Sequence, residues 1–304
     1  MDNRHEVREF LMTRRARLAP EAAGLAAGSN RRVEGLRRSE VAALAGVSVE
    51  YYAKLERGAI SGASGAVLDA LSRALQLTDA EHAHLLDLAR NADGIPSSGR
   101  QRRRSGTPGP VRPSLGWAMS SITDSVAVVR DQRQNLVAFN DLGRAFYSPL
   151  IGDGGRVPNF ARFQFLDPAA HDFYPDWDLF ADMCVAVIRA EAGRDPHDKG
   201  IQDLVGELST RSELFRRLWA AHNVRTHGSG QKRFRHPVVG ELTLVYEELA
   251  ITADPGQVLL IYSAEPGSPS AERLRLLASW AAGADAARPA SAEDPAGGEN
   301  IGAL

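Results

Sequence analysis

Through the first ninety residues the apolar positions return every three or four, the interval that gathers them on one face of a helix. Val7, Phe10, Leu11 and Leu18 predict a helix over residues 6–18, with Arg14, Arg15 and Arg17 turned outward. Val41, Ala42 and Ala45 predict a second over 37–45, and Tyr52 and Leu55 form the inner face of a third over 48–57. Gly46 falls where a helix closes in left-handed backbone, which only glycine enters without strain. Val47 plugs the angle between the two helices, Ser48 caps the next through its hydroxyl, and Gly58 ends the pair. Two more helices are expected over 67–75 and 78–89, the latter opening on a Thr78–Glu81 capping-box spacing.

The period then disappears. Residues 93–113 are Gly, Ser, Pro and Arg, the make-up of a linker. A helix is expected over 115–122, followed by two strands over 125–129 and 136–140 joined by a turn over 130–135. Helices follow over 141–147, 178–192, 201–208 and 213–221, with an aromatic-rich stretch at 159–167. Three strands are expected over 231–236, 240–250 and 257–263; in the middle one Leu242, Leu244 and Tyr246 alternate with polar neighbours. A closing helix covers 272–282, and the Ala, Pro, Gly and acid that follow predict disorder. Two strands, a block of helices and three strands make an α/β domain with an antiparallel sheet, in a PAS-like order.

Composition sharpens this in three places. A chain of 304 residues is long enough for two domains with separate cores. The single cysteine, Cys184, excludes an internal disulfide and sits in an apolar run that predicts a buried core position. No apolar run approaches a membrane span and the first residues are no signal peptide, so a cytoplasmic protein is expected. The net charge of −2 suits nucleic acid poorly. Residues 1–112, however, hold 18 Lys and Arg against 13 Asp and Glu, and the remainder 18 against 25, so the front part is the one suited to phosphate.

Two short helices joined at Gly46-Val47-Ser48 make a helix-turn-helix, whose second helix enters the DNA major groove. Arg38 and its neighbour Arg37, at the start of the first motif helix, are candidates for phosphate. Ser48, Val49, Glu50 and Lys54 are candidates for base edges: Val49 against a thymine methyl, Glu50 accepting from a cytosine amine, Lys54 reaching guanine or a phosphate. Tyr51 is a candidate phosphate donor, Tyr52 reads as core, and Glu56 reads as the partner of an arginine of the first helix, Arg15 foremost. Arg31-Arg32 and the run Arg100 to Arg104 are further phosphate candidates, a solvated loop and a solvated tether being the plainer readings. The segment resembles the helix-turn-helix of the XRE, or lambda-repressor-like, family.

A wider set of residues is similar to the MmyB-like regulators of actinobacterial type. In the first half these are Phe10-Leu11-x-x-Arg14-Arg15-Ala16-Arg17-Leu18, Gly35-Leu36-Arg37-Arg38-x-Glu40-Val41-Ala42 and Gly46-Val47-Ser48-Val49-x-Tyr51-Tyr52-x-x-Leu55-Glu56-x-Gly58. In the second they are Phe139-Asn140, Phe173-Tyr174-x-x-Trp177, Phe215-x-x-Leu218-Trp219-x-x-His222 and His236-Pro237-x-x-Gly240-x-Leu242. The resemblance implies a PAS-like ligand-binding domain that takes a fatty-acid-like molecule, with Phe139 and Asn140 beside it. Phe139 stands where members more often carry Trp, which implies a different pocket volume.

The residues themselves allow such a pocket. Phe160, Phe163, Phe165, Trp177, Phe215, Trp219, Tyr246 and Tyr262 supply aromatic lining, and Arg216, His222 and His236 are candidates to orient a polar head group. Each of these aromatics also reads as plain core, and each histidine as structural. His222, His227 and His236 lack the short spacing of a metal site, so no metal is expected. No Gly-rich phosphate loop, nucleophile elbow or paired-acid signature appears, so neither an enzyme nor a cofactor is expected.

The sequence thus predicts a multidomain chain. An all-α lambda-repressor-like helix-turn-helix domain spans 1–92, a flexible basic linker 93–113, an α/β PAS-like domain with an antiparallel sheet 114–283, and a disordered tail 284–304. The expected function is a transcription regulator that binds a double-stranded DNA operator as a homodimer and senses a small apolar ligand. The alternatives are a C-terminal domain that grips a protein partner, or one that modifies its ligand.

Overall fold

The computed structural model describes residues 2–26, 33, 35–94, 111–152, 155–223 and 228–287. Arg31-Arg32, the run 100–104, His227 and residues 288–304 of the expected tail lie outside the described residues. The first half comprises α1 (Asn3–Arg17), α2 (Arg38–Ala45), α3 (Val49–Glu56), α4 (Gly65–Ala74) and α5 (Asp79–Ala92). They close around a core that includes Val7, Phe10, Leu11, Leu36, Val41, Tyr52, Leu55, Leu71, Leu85 and Leu88. Local chemistry sets the helix ends. The Asp2 carboxylate accepts from the Arg4 N–H at 3.0 Å, which starts α1 at Asn3, three residues ahead of the expected start at Glu6. Thr78 and Glu81 form the expected capping box on α5. Gly46 adopts φ of +66°, as the turn requires.

The second half comprises α6 (Pro113–Ser120), β1 (Val126–Asp131), β2 (Leu136–Phe139), α7 (Asp141–Phe146), α8 (Ser148–Ile151), α9 (Phe160–Leu166), α10 (Ala169–Phe173), α11 (Trp177–Arg194), α12 (Lys199–Arg211), α13 (Glu213–Ala220), β3 (Ser229–His236), β4 (Gly240–Ala250), β5 (Gln257–Ser263) and α14 (Pro269–Ala287). The strands form one antiparallel sheet in the order β2-β1-β5-β4-β3. Alternation assigns its faces. Val126, Val128, Leu242, Leu244, Tyr246, Leu260 and Tyr262 point inward with Phe234 and meet Phe146, Phe173, Tyr174 and Phe180 from the helices. Ala127 and Val129 point the other way, under Met119 and Leu115 of α6.

Some boundaries differ from the sequence pattern. Arg130 and Asp131 belong to β1 rather than to the turn, because the Asp131 carboxylate folds the turn itself, accepting from the N–H groups of Arg133 and Asn135 at 2.8 and 2.9 Å. The aromatic-rich stretch is the helix α9, capped by Asn159, whose side chain accepts from the Arg162 N–H at 3.0 Å. Helix α14 continues past 283, to Ala287.

Arg14 corrects the expectation more sharply. It was expected outward, yet it is 4% exposed, because that face of α1 is covered by the second half of the chain. Its Nε lies 2.9 Å from Oε1 of Glu81, and its Nη2 donates to the carbonyl of His222. Beside it stands Arg189 of α11, only 1% exposed. Nη1 of Arg189 donates to Oε2 of Glu6 and to Nδ1 of His222, each at 2.8 Å. Its Nη2 donates to the Trp219 carbonyl, and the guanidinium lies 3.9 Å from the centroid of the Trp219 ring. His222 itself sits at φ of +51°, left-handed backbone that is unusual outside glycine. The seam continues where His84 of α5 packs on Gly193 so closely that a Cβ there would strike the imidazole, and where Asn91 donates to the Gly193 carbonyl.

Burial, helped by the cations Arg189 and Arg14, pushes both His84 and His222 down to about 3, so both stay neutral in the folded chain. An unfolded chain takes up these protons near the ordinary histidine value of about 6.5. The seam's contribution is therefore complete above pH 6.5 and is lost progressively as pH falls toward 3. The urea midpoint of the full chain is expected to fall between pH 6.5 and 5, before carboxylates titrate, and His84→Leu to flatten that fall. A wild-type midpoint that stays level across this window contradicts the assignment.

Candidate functional site

The helix-turn-helix presents α3 with its start held and its far end braced. Ser48 Oγ accepts from the Tyr51 N–H at 3.1 Å, so this hydroxyl serves as the cap. Val49, Glu50 and Lys54 stand exposed on the same helix, whereas Tyr51 is part-buried and packs against the helical core. Tyr52 is fully buried there. Arg37 is exposed just before α2, and its backbone N–H donates to the Glu40 carboxylate at 2.7 Å.

Glu56 is the brace. Its carboxylate is buried and takes a hydrogen bond from Nε of Arg15 and another from Nε of Arg38. Arg15 reaches on to the Leu36 carbonyl with Nη1 at 2.8 Å. One carboxylate thereby holds α1, the approach to α2 and the end of α3 together, as the sequence reading of Arg15 and Glu56 expected. Arg38 remains half exposed at the surface while this bond to Glu56 holds its pKa above the ordinary arginine value. Gly35 lies so close to the carbonyl oxygens of Arg15 and Ala16 that no Cβ fits. Glu56→Gln strips the charge that answers two guanidiniums and is expected to cost about 3 kcal/mol in urea unfolding; a loss below about 0.5 kcal/mol, the scale of an exposed pair, contradicts the bracing role.

The structure divides the residues proposed for a ligand among three places. Phe163 and Tyr246 lie in the aromatic core inside the sheet, with Phe139, Phe160 and Trp177 packed against it. Its rings meet edge to face, as in Phe146 on Phe234 at 5.0 Å and Tyr147 on Phe160 at 5.2 Å between centroids. His236 is buried in the same core, its Nδ1 accepting from the Val238 N–H and its Nε2 donating to the Ala145 carbonyl, both at 3.2 Å. Asn140 is committed to structure: Nδ2 donates to the Ile122 and Ser125 carbonyls, and Oδ1 accepts from the N–H groups of Ala127 and Gly143.

Trp219 and His222 belong instead to the seam with α1. Trp219 stacks on Phe215 at 5.7 Å in a separate cluster between α11, α12 and α13, and that face of α13 turns away from the sheet. Arg216 is exposed and donates to the Ser209 carbonyl at 3.3 Å. Neither Arg216 nor His222 therefore reaches the aromatic core. A separate cleft of about 580 Å³ opens on the other face of the sheet, lined by Thr243, Val245, Ser263 and Arg273.

Sequence reasoning missed the charged residues of the core. Arg130 continues the inward alternation of Val126 and Val128, and Lys232 that of Phe234 and His236. That alternation was the available signal. Among the described residues no group of three or more His, Cys, Asp or Glu is arranged to hold a metal, and no helix is long and apolar enough to cross a membrane.

A helix-turn-helix with an exposed second helix, joined through a buried seam to an α/β domain with an aromatic core, defines a DNA-binding regulator that answers to a ligand. Comparison with known families agrees. The family described as MmyB-like transcription regulator ligand binding domain matches residues 111–277, and a helix-turn-helix domain matches residues 7–85. The chain belongs to the MmyB-like transcription regulators. A search of curated proteins found no match.

Proposed function

We propose that the chain is a cytoplasmic, sequence-specific regulator that binds a double-stranded operator as a homodimer and responds to a small apolar, fatty-acid-like ligand. The observation that carries this reading is the continuous path of packed and hydrogen-bonded groups between the two halves. Helix α11 walls the aromatic core with Phe180 and engages α1 through Arg189 and Glu6. Helix α1 in turn holds the end of α3 through Arg15 and Glu56. The strand order supports a PAS-like sensor. A single recognition helix reads few base pairs, which favours two copies on a palindromic site. Trp117 on α6 and Leu276 and Trp280, a turn apart on α14, stay exposed and offer apolar surface of the kind a second copy covers. The ligand shifts operator affinity only by the difference in its own affinity for the two arrangements of the halves. The second domain acts as a sensor that leaves its ligand unaltered.

On DNA, Val49, Glu50 and Lys54 read base edges, and Arg37, Arg38 and Tyr51 meet phosphates. Ser48 contributes as the cap that fixes the start of α3. Titrations of operator and random duplexes against salt test the division. Lys54→Ala is expected to lose about 1–3 kcal/mol on the operator and to relax one base position. Arg38→Ala is expected to weaken both duplexes alike and to lower the salt slope by about one. Equal losses on both duplexes for both variants would overturn the reading.

A further inference from the structure

The inner face of the sheet carries two cations that its carboxylate does not balance. Arg130 on β1 is 5% exposed; its Nη2 donates to Oε2 of Glu248 on β4 at 3.0 Å, and its Nη1 is buried without a hydrogen-bond partner. Lys232 on β3 points to the same region. Its Nζ lies 3.9 Å from the ring centroid of Tyr246, 5.4 Å from Phe180 and 5.5 Å from Tyr262, held by ring faces and by no hydrogen bond or ion pair among the described residues. The surrounding acids stay neutral: burial pushes the Cys184 thiol up to about 12 and raises Tyr246 and Tyr262 above the ordinary tyrosine value. Burial also lowers Lys232 to about 8, against the pull of Glu248 and with the push of Arg130. Two positive groups thus face one negative group at the rim of an apolar core, Arg130 buried and Lys232 half buried, and a buried charge left unanswered is costly.

We propose that Arg130 and Lys232 form the receptor for one carboxylate of the ligand, whose apolar part runs inward along Phe180, Tyr246 and Tyr262. This rests on the reading of the second half as a ligand-binding domain, and it replaces Arg216 and His222 as the groups that orient the head. A carboxylate here supplies the missing negative charge, accepts from the idle Nη1 of Arg130 and draws Lys232 off the rings into an ion pair. Lys232 sits on the edge strand β3 and is only half buried, which gives the anion its way in. Glu248 sets the limit: it neutralises one cation, so a monoanion completes the balance.

The test uses the purified full chain and two probes of equal length, dodecanoate and dodecan-1-ol, titrated at pH 7 below the onset of micelles. The wild type is expected to bind the acid about tenfold tighter than the alcohol, the scale of one charge-assisted contact. Lys232→Met is expected to bring the two within about twofold, through weaker binding of the acid. Glu248→Gln, which removes the competing carboxylate, is expected to widen the preference for the acid, an effect a purely structural glutamate would not produce. Equal binding of acid and alcohol to the wild type would overturn the head-group assignment and leave the apolar-ligand reading standing. An undiminished preference in Lys232→Met would do the same. Failure of both probes to bind the wild type would overturn the apolar-ligand reading together with this one.

Discussion

A guanidinium removed from water needs partners for its charge, and Arg189, whose two Nη groups are answered while its Nε is not, is the buried group whose partners shape this molecule. It takes Glu6 from α1, a carbonyl from the end of α13, and the imidazole of His222 from the segment that follows. Such an ion pair adds little net stability, since desolvation offsets most of the attraction, but it punishes any arrangement that leaves one partner alone. Its effect is to fix geometry. The placement of α1 against α11 in the structure satisfies Glu6 and His222 through Arg189 together, and it carries Arg14 under cover as well.

Helix α11 is consequently shared by both halves. Phe180 packs in the aromatic core beneath the sheet, while Ala190 packs with the helical core of the first half. Helix α1 is shared in a similar way, with Glu6 toward the seam and Arg15 toward Glu56 and the recognition helix. The aromatic core and the exposed face of α3 are therefore separated by a short series of packed helices joined by buried charge. A ligand that displaced α11 would act on α1 through Arg189, and α1 would act on α3 through Glu56.

What the sequence disclosed and what it withheld follow from the range of the forces involved. Gly46, Ser48, Thr78 and Glu81 specify backbone within a few residues, so the helix ends and the helix-turn-helix were legible. The pairing of Arg15 with Glu56 was legible because both sit on elements whose inner faces were already known. Alternation in β4 gave the sheet. The seam was not legible, because Arg14 occupies a polar position of an amphipathic helix and only the second half of the chain reveals that this face is covered. His222 lies three residues after Trp219, and the pattern places them on one side of a helix without saying which neighbour that side meets. Lys232 was overlooked because a lysine on an edge strand reads as solvated, although its alternation with Phe234 and His236 directs it inward.

The central claim is that the buried charge pair makes one cooperative body of the two halves. Scanning calorimetry of the full chain at pH 7 tests it most directly, comparing the wild type with Arg189→Met. The wild type is predicted to unfold in a single transition and the variant in two, as each half melts on its own core. Two separate transitions in the wild type, or one unchanged transition in the variant, would contradict it.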